Sequence, residues 1–136
     1  MGVRACVALG SNLGDRAAAL ALACVRLAQL PGTTLVAASE VEETTPLGGL
    51  PQPSYLNQMV LLDTTCSAAA VLEGCHAIER EAGRTRDTPW CSRTLDLDLV
   101  YFGDLSCDLP DLVLPHPGLR DRNFWARQIA VVEAHG

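Results

Sequence analysis

An α+β fold is predicted for this 136-residue chain: a ferredoxin-like βαββαβ sheet, helices packed on one face, and a short C-terminal addition. Two observations carry the prediction. Four apolar runs have the length and residue types of strands, and two stretches with apolar residues on one helical face separate the first from the second and the third from the fourth. Nearly half the residues are apolar, enough for one compact domain spanning 1–136 with a real core.

The elements follow in order. "RACVALGS" (4–11) is a first strand running into a Gly-Ser-Asn-Leu-Gly turn. A helix begins at Asp15, with Leu20, Cys24, Leu27 and Leu30 on one face, and Pro31-Gly32 stops it. "TTLVAASEV" (33–41) is a second strand, and "NQMVLLDT" (57–64) a third. Between them, residues 44–55 hold three prolines and two glycines, a loop long enough to suggest a working one. Ser67 can N-cap a helix through Leu72, Cys75, Ile78 and Ala82, closed by Gly83. A second irregular loop (83–92) leads into the fourth strand, "TLDLDLVYFG". A short extended pair follows in "LSCDLPDLVLPHP", and a last helix begins near Asp121.

Composition excludes several classes. The longest apolar run near the N-terminus is nine residues, far short of a membrane span, and "MGVRAC" does not open a signal peptide. A soluble cytoplasmic protein is expected, without a membrane partner. The net charge of −6 argues against nucleic acid as a partner, because a phosphate backbone needs a basic surface. All ten basic residues are arginine, so a P-loop, with its obligatory lysine, is excluded. The six cysteines form no C-x-x-C pair, and four lie within apolar or helical patterns, where cysteine acts as a small hydrophobe.

The fourth strand carries the chemistry. Asp96 and Asp98 lie two apart among Leu95, Leu97, Leu99 and Val100, so both carboxylates share one face, with Cα atoms about 6.6 Å apart. Two unit charges ~5 Å apart repel by about 3 kcal/mol at an effective dielectric of 20, a cost that a divalent cation removes. Magnesium is typically held by one or two carboxylates and completed by substrate phosphates and water. Arg80, Arg84, Arg86 and Arg93 fall within fourteen residues just ahead of this pair. Guanidinium forks match phosphate oxygens, and such a cluster beside a carboxylate–metal site is the layout of phosphoryl transfer. Elsewhere, Tyr55 and Asn57 share a face at a strand entrance, an aromatic plate and an amide suited to a flat nitrogen heterocycle. Phe124 is either an opposing plate or core. His116, between two prolines, is either a loop residue or a phosphate donor.

Six ordered blocks now carry a resemblance: "ALGSNLGDR" (8–16), "TTPLGG…PSYLNQMV" (44–60), "IEREAGRTR" (78–86), Trp90, "SRTLDLDLVYFG" (92–103) and "LPHPGLRDRNF" (114–124). Together they resemble the 6-hydroxymethyl-7,8-dihydropterin pyrophosphokinases of folate biosynthesis over nearly the whole chain. The resemblance implies transfer of the pyrophosphoryl group of ATP to the pterin hydroxymethyl oxygen, leaving AMP; a monomer is expected. It implies that Asp96 and Asp98 hold two Mg²⁺ ions, and that Arg84 and Arg93 stabilise the transferring phosphates. Glu79, Arg86, Leu99, His116 and Arg122 would help to seat ATP. Thr44, Leu47, Tyr55, Asn57 and Phe124 would form the pterin pocket, with Trp90 closing over it. There are departures. The family usually continues after the phenylalanine with an aliphatic residue and Pro-Leu, whereas "WARQIAVVEAHG" has glutamine at the proline's place; His76 and Thr45 also stand where other residues are frequent. Two rival readings are a palm-type nucleotidyltransferase and a catalytically weak paralogue that senses pterin or nucleotide.

Overall fold

The computed structural model describes residues 2–44, 54–83 and 95–136. Strand β1 (Val3–Ser11) leads to helix α1 (Arg16–Ala28), and β2 (Thr33–Ala38) and β3 (Glu42–Thr44) follow. Strand β4 (Tyr55–Thr64) then leads to α2 (Ala68–Glu81) and β5 (Asp96–Phe102). A hairpin of β6 (Cys107–Leu109) and β7 (Leu112–Leu114), a 3₁₀ turn (Pro117–Arg120) and helix α3 (Asn123–His135) complete the order. The main sheet runs β2-β4-β1-β5, antiparallel throughout, with β3 continuing the β2 side of β4. This is the ferredoxin-like arrangement the sequence predicts.

Local chemistry sets the helix starts. The Asp15 carboxylate accepts from the Ala18 amide at 3.0 Å, and the Ser67 hydroxyl accepts from the Ala70 amide at 3.1 Å. Each satisfies an amide that has no partner within its helix. The second strand, predicted over 33–41, ends at Ala38, and a short strand that was not predicted, β3, follows it; between them the Ser39 hydroxyl accepts from the Met59 amide. A serine in mid-strand competes with the ladder for backbone groups, and here it wins.

The two faces of the sheet carry separate cores. Ala5, Val7 and Leu9 of β1, Val60 and Leu62 of β4, and Leu97 and Leu99 of β5 pack beneath α1 and α2. From the helices come Leu20, Ala23 and Leu27, and Val71, Cys75 and Ile78. Cys24 and Leu30 pack at the margin of this core, and Leu72 is only half-buried. The other face holds Cys6, Ala8, Met59, Leu61 and Val100, covered by Trp125 and Val132 of α3. The helices are therefore not confined to one face: the C-terminal addition closes the second.

Helix α3 is continuous through Gln128, where proline would remove a backbone donor and clash with the preceding turn. Polar contacts tether it: Gln128 and Arg127 both donate to Glu42, and Tyr101 donates to Glu133 at 2.7 Å.

Candidate active site

Strand β5 is terminal in the sheet, and a register shift opposite Cys6 and Val7 leaves Val100 without a partner on β1. The bulge puts both Val100 and Tyr101 on the α3 face and returns Phe102 to the helix face. Before it, alternation holds Leu97 and Leu99 inward and turns Asp96 and Asp98 to the α3 side, both half-exposed. The sequence-predicted sharing of a face by the two carboxylates is thus realised.

Along this edge opens a cavity of about 470 Å³, between α2 on one side and the β6–β7 hairpin and 3₁₀ turn on the other. That volume lies within the range of small-molecule sites. Six residues expected to meet ATP or metal line it together: Glu79, Asp96, Asp98, Leu99, His116 and Arg122. His76 and Asp111 also line it, and sequence reasoning gave neither a role. Among the described lining residues, carboxylates outnumber guanidinium groups, a balance that favours a cation.

Second contacts hold these groups in place. Buried Glu79 accepts from the Leu97 amide at 2.8 Å, fastening α2 to the edge of β5 between the two aspartates. The His116 amide donates to the Val100 carbonyl at 2.8 Å, tying the segment after β7 to the bulge. The Gly118 amide donates to His116 Nδ1 at 2.9 Å, so the ring's proton sits on Nε2, which lies 3.6 Å from Asp98 Oδ1. Trp125 meets the His116 ring edge-on at 5.1 Å and lies beneath the Arg122 guanidinium at 4.6 Å. Sequence reasoning treated Trp125 only as a departure after Phe124. Its spacing of three from Arg122 on a helical turn is the signal that could have found it. Gly118 is closely packed: a Cβ there would stand 3.0 Å from both His116 Nδ1 and Trp125 Cζ3, and 2.1 Å from Arg122 Nη1, which would have to move.

The predicted pterin group lies at the other side of the same face. Thr44 pairs with Tyr55 in the β3–β4 ladder, and the Asn57 amide donates to the Thr44 hydroxyl. Asn57 alternates with Met59 and Leu61, so it and Tyr55 belong to the α3 side, and half-buried Phe124 packs against that side's core. The Arg16 guanidinium, from α1, donates to Glu43 and to the Ser54 carbonyl, drawing the ends of β3 and β4 together. Leu47, Arg84, Arg86, Trp90 and Arg93 lie outside the described residues.

Register joins the two groups. Gly10 of β1 pairs with Asn57 on one side and Asp96 on the other. Asn57, Gly10 and Asp96 form one row across three strands, with about 10 Å between the outer Cα atoms at the ordinary strand spacing. Two carboxylates on a rigid strand suit Mg²⁺, and no cluster of three or more metal-binding side chains occurs among the described residues.

Comparison with known proteins identifies a family. The sequence profile of the 7,8-dihydro-6-hydroxymethylpterin-pyrophosphokinase family matches residues 6–134. A 2-amino-4-hydroxy-6-hydroxymethyldihydropteridine pyrophosphokinase of Pseudomonas aeruginosa is 42% identical over 89% of this chain and 75% of its own. Relatives of the same description from Pseudomonas putida and Bacillus subtilis are 44% and 37% identical, over 85% and 93% of this chain and 96% and 75% of theirs. By sequence, the chain belongs to the 7,8-dihydro-6-hydroxymethylpterin-pyrophosphokinase family.

Proposed function

We propose that this protein transfers the pyrophosphoryl group of ATP to the hydroxymethyl oxygen of 6-hydroxymethyl-7,8-dihydropterin, a step of folate biosynthesis, as one cytoplasmic domain over 1–136 acting as a monomer. The observation that carries the reading is the row Asn57–Gly10–Asp96. It sets an amide suited to a heterocycle and a carboxylate suited to a metal on one face, a substrate's length apart. The names of the relatives supply the chemistry to be expected there.

Tyr55 and Phe124 would flank the pterin ring, and Asn57, held by Thr44, would read its polar edge with Leu47 and Trp90. Asn57 donates to Thr44, and its Oδ1 can accept from a ring N–H. At the other end Asp96 and Asp98 would hold two Mg²⁺ ions, which when bound would neutralise charge on the phosphates. His116 is fixed with its Nε2–H toward Asp98, positioned to donate to a phosphate oxygen entering there. Arg122, lying over Trp125, would reach the same phosphates, with Glu79 and Leu99 shaping the nucleotide's seat. Arg84 and Arg93 would stabilise charge developing in transfer, and Arg86 would assist. The pterin oxygen forms its bond to the β-phosphorus while the bond from that phosphorus to the α–β bridging oxygen breaks. AMP leaves with the bridge, and the hydroxyl proton goes to solvent.

Chromatography of products from Mg·ATP and the dihydropterin tests this. AMP and a pterin diphosphate are expected in equal amounts. ADP with a pterin monophosphate would refute pyrophosphoryl transfer, and binding without turnover would favour a sensor. Incorporation into an added oligonucleotide would favour the nucleotidyltransferase reading.

A further inference from the structure

Gly10 has no structural reason to be glycine. It is not among the residues with positive φ, so its backbone suits any L-residue. A Cβ built on it would lie 3.4 Å from Asn57 Oδ1, 3.6 Å from Tyr55 Cδ1 and 4.0 Å from the Leu56 carbonyl, all ordinary contacts. Glycine in mid-strand weakens a strand, both by backbone entropy and by leaving nothing to pack. Gly118, where a Cβ would displace the Arg122 tip and press on His116 and Trp125, makes the opposite case.

The position tells what is gained. On the helix face, β1 grows along its length from Ala5 to Val7 to Leu9, all within the core. On the α3 face it shrinks from Cys6 to Ala8 to Gly10. The taper ends between Asn57 and Asp96, beside the Tyr55 ring. A side chain at Gly10 would stand in the middle of the row, against the amide oxygen and the aromatic plate.

We infer that Gly10 is a specificity-determining residue: its bare backbone leaves room for the edge of a planar nitrogen heterocycle held between the Tyr55 and Phe124 rings and read by Asn57. The inference rests on the pterin reading above and adds a residue to it. The edge of such a ring can approach backbone with no Cβ to van der Waals distance, whereas a methyl would push it away from the Asn57 amide.

The test is Gly10→Ala in the full chain, with thermal melting, a non-hydrolysable Mg·ATP analogue and the dihydropterin measured separately. The variant should melt at or above the wild-type temperature and bind the nucleotide analogue within twofold. Its KM and Kd for the dihydropterin should rise at least tenfold. Pterin constants within twofold of wild type would overturn the inference. So would equal losses toward both ligands in a folded variant, which would make the effect general. Wild-type protein labelled with ¹³C-glycine gives a second readout that does not depend on the variant folding. The Gly10 Cα resonance should shift on saturation with pterin and stay in place with nucleotide alone, and no pterin shift would overturn the inference. If wild type itself neither binds nor consumes the dihydropterin, the functional reading falls and takes this inference with it. If wild type does both and Gly10→Ala matches it, only the inference falls.

Discussion

On the helix face of the sheet, Val7, Leu9, Val60, Leu62, Leu97 and Leu99 meet Leu20, Leu27, Val71 and Ile78, and packing is apolar along the whole strand length. The α3 face begins the same way, with Cys6, Leu61 and Val100 beneath Val132 and Trp125. It then gives way to Asn57, Gly10 and Asp96. The same three strands therefore supply a stabilising surface on one side and a half-stabilising, half-chemical one on the other. A period-two backbone makes this possible, because each face can be composed without disturbing its opposite.

The strongest way to sharpen the contrast is at its chemical end. Asp96→Asn or Asp98→Asn should leave the protein folded and nearly inactive, since one repulsion is relieved while one metal ligand is lost. Turnover above about a tenth of wild type, a loss under ~1.4 kcal/mol, would remove these residues from the metal site. Next come Arg84→Ala and Arg93→Ala. Each should lower kcat by about 10²–10³, roughly 2.7–4 kcal/mol, with little change in pterin Kd. A loss of pterin affinity at unchanged kcat would move them to the binding pocket.

A pair of core substitutions compares the faces directly. Trp125→Ala and Leu27→Ala both empty buried space and should destabilise by about 3–5 and 2–5 kcal/mol respectively in denaturant unfolding. Only the tryptophan supports His116 and Arg122, so only its loss should raise KM for ATP, by several-fold. Equal kinetic effects from both would mean the faces are not functionally distinct.

The smallest effect is one the faces share. Burial, with Glu133 adding to it, pushes the Cys6 thiol on the α3 face up to about 12. Burial again, then Glu79 and Asp98, does the same to Cys75 on the helix face. A folded value raised above the ordinary 9.0 means stability is fully present below pH 9. It is lost as pH rises from there through about 12, because the unfolded chain releases these protons first. Cys6→Ala and Cys75→Ala should each flatten the decline of unfolding free energy measured between pH 8 and 10.5. An unchanged slope in both would mean other groups set the alkaline limb.

Much of this was legible before any coordinate, because it depends on short-range periodicity. Ser67 announces the cap of α2, Leu20 and Leu27 its neighbour helix's buried face, and the two-residue spacing of Asp96 and Asp98 their common side. The same spacing put Tyr55 and Asn57 together. What local pattern could not supply was register and the choice of opposing face. Nothing in "ALGSN" says that Gly10 will lie between Asn57 and Asp96, because that depends on hydrogen-bond partners 47 and 86 residues away. Nor does "WARQIAVV" say which side of the sheet α3 will cover, or that Trp125 will lie beneath Arg122. The sequence by itself determined the elements and the kinds of groups each face presents, since backbone geometry repeats over two or 3.6 residues. Tertiary structure alone decided which groups meet, since antiparallel pairing and helix docking bring together residues far apart in the chain.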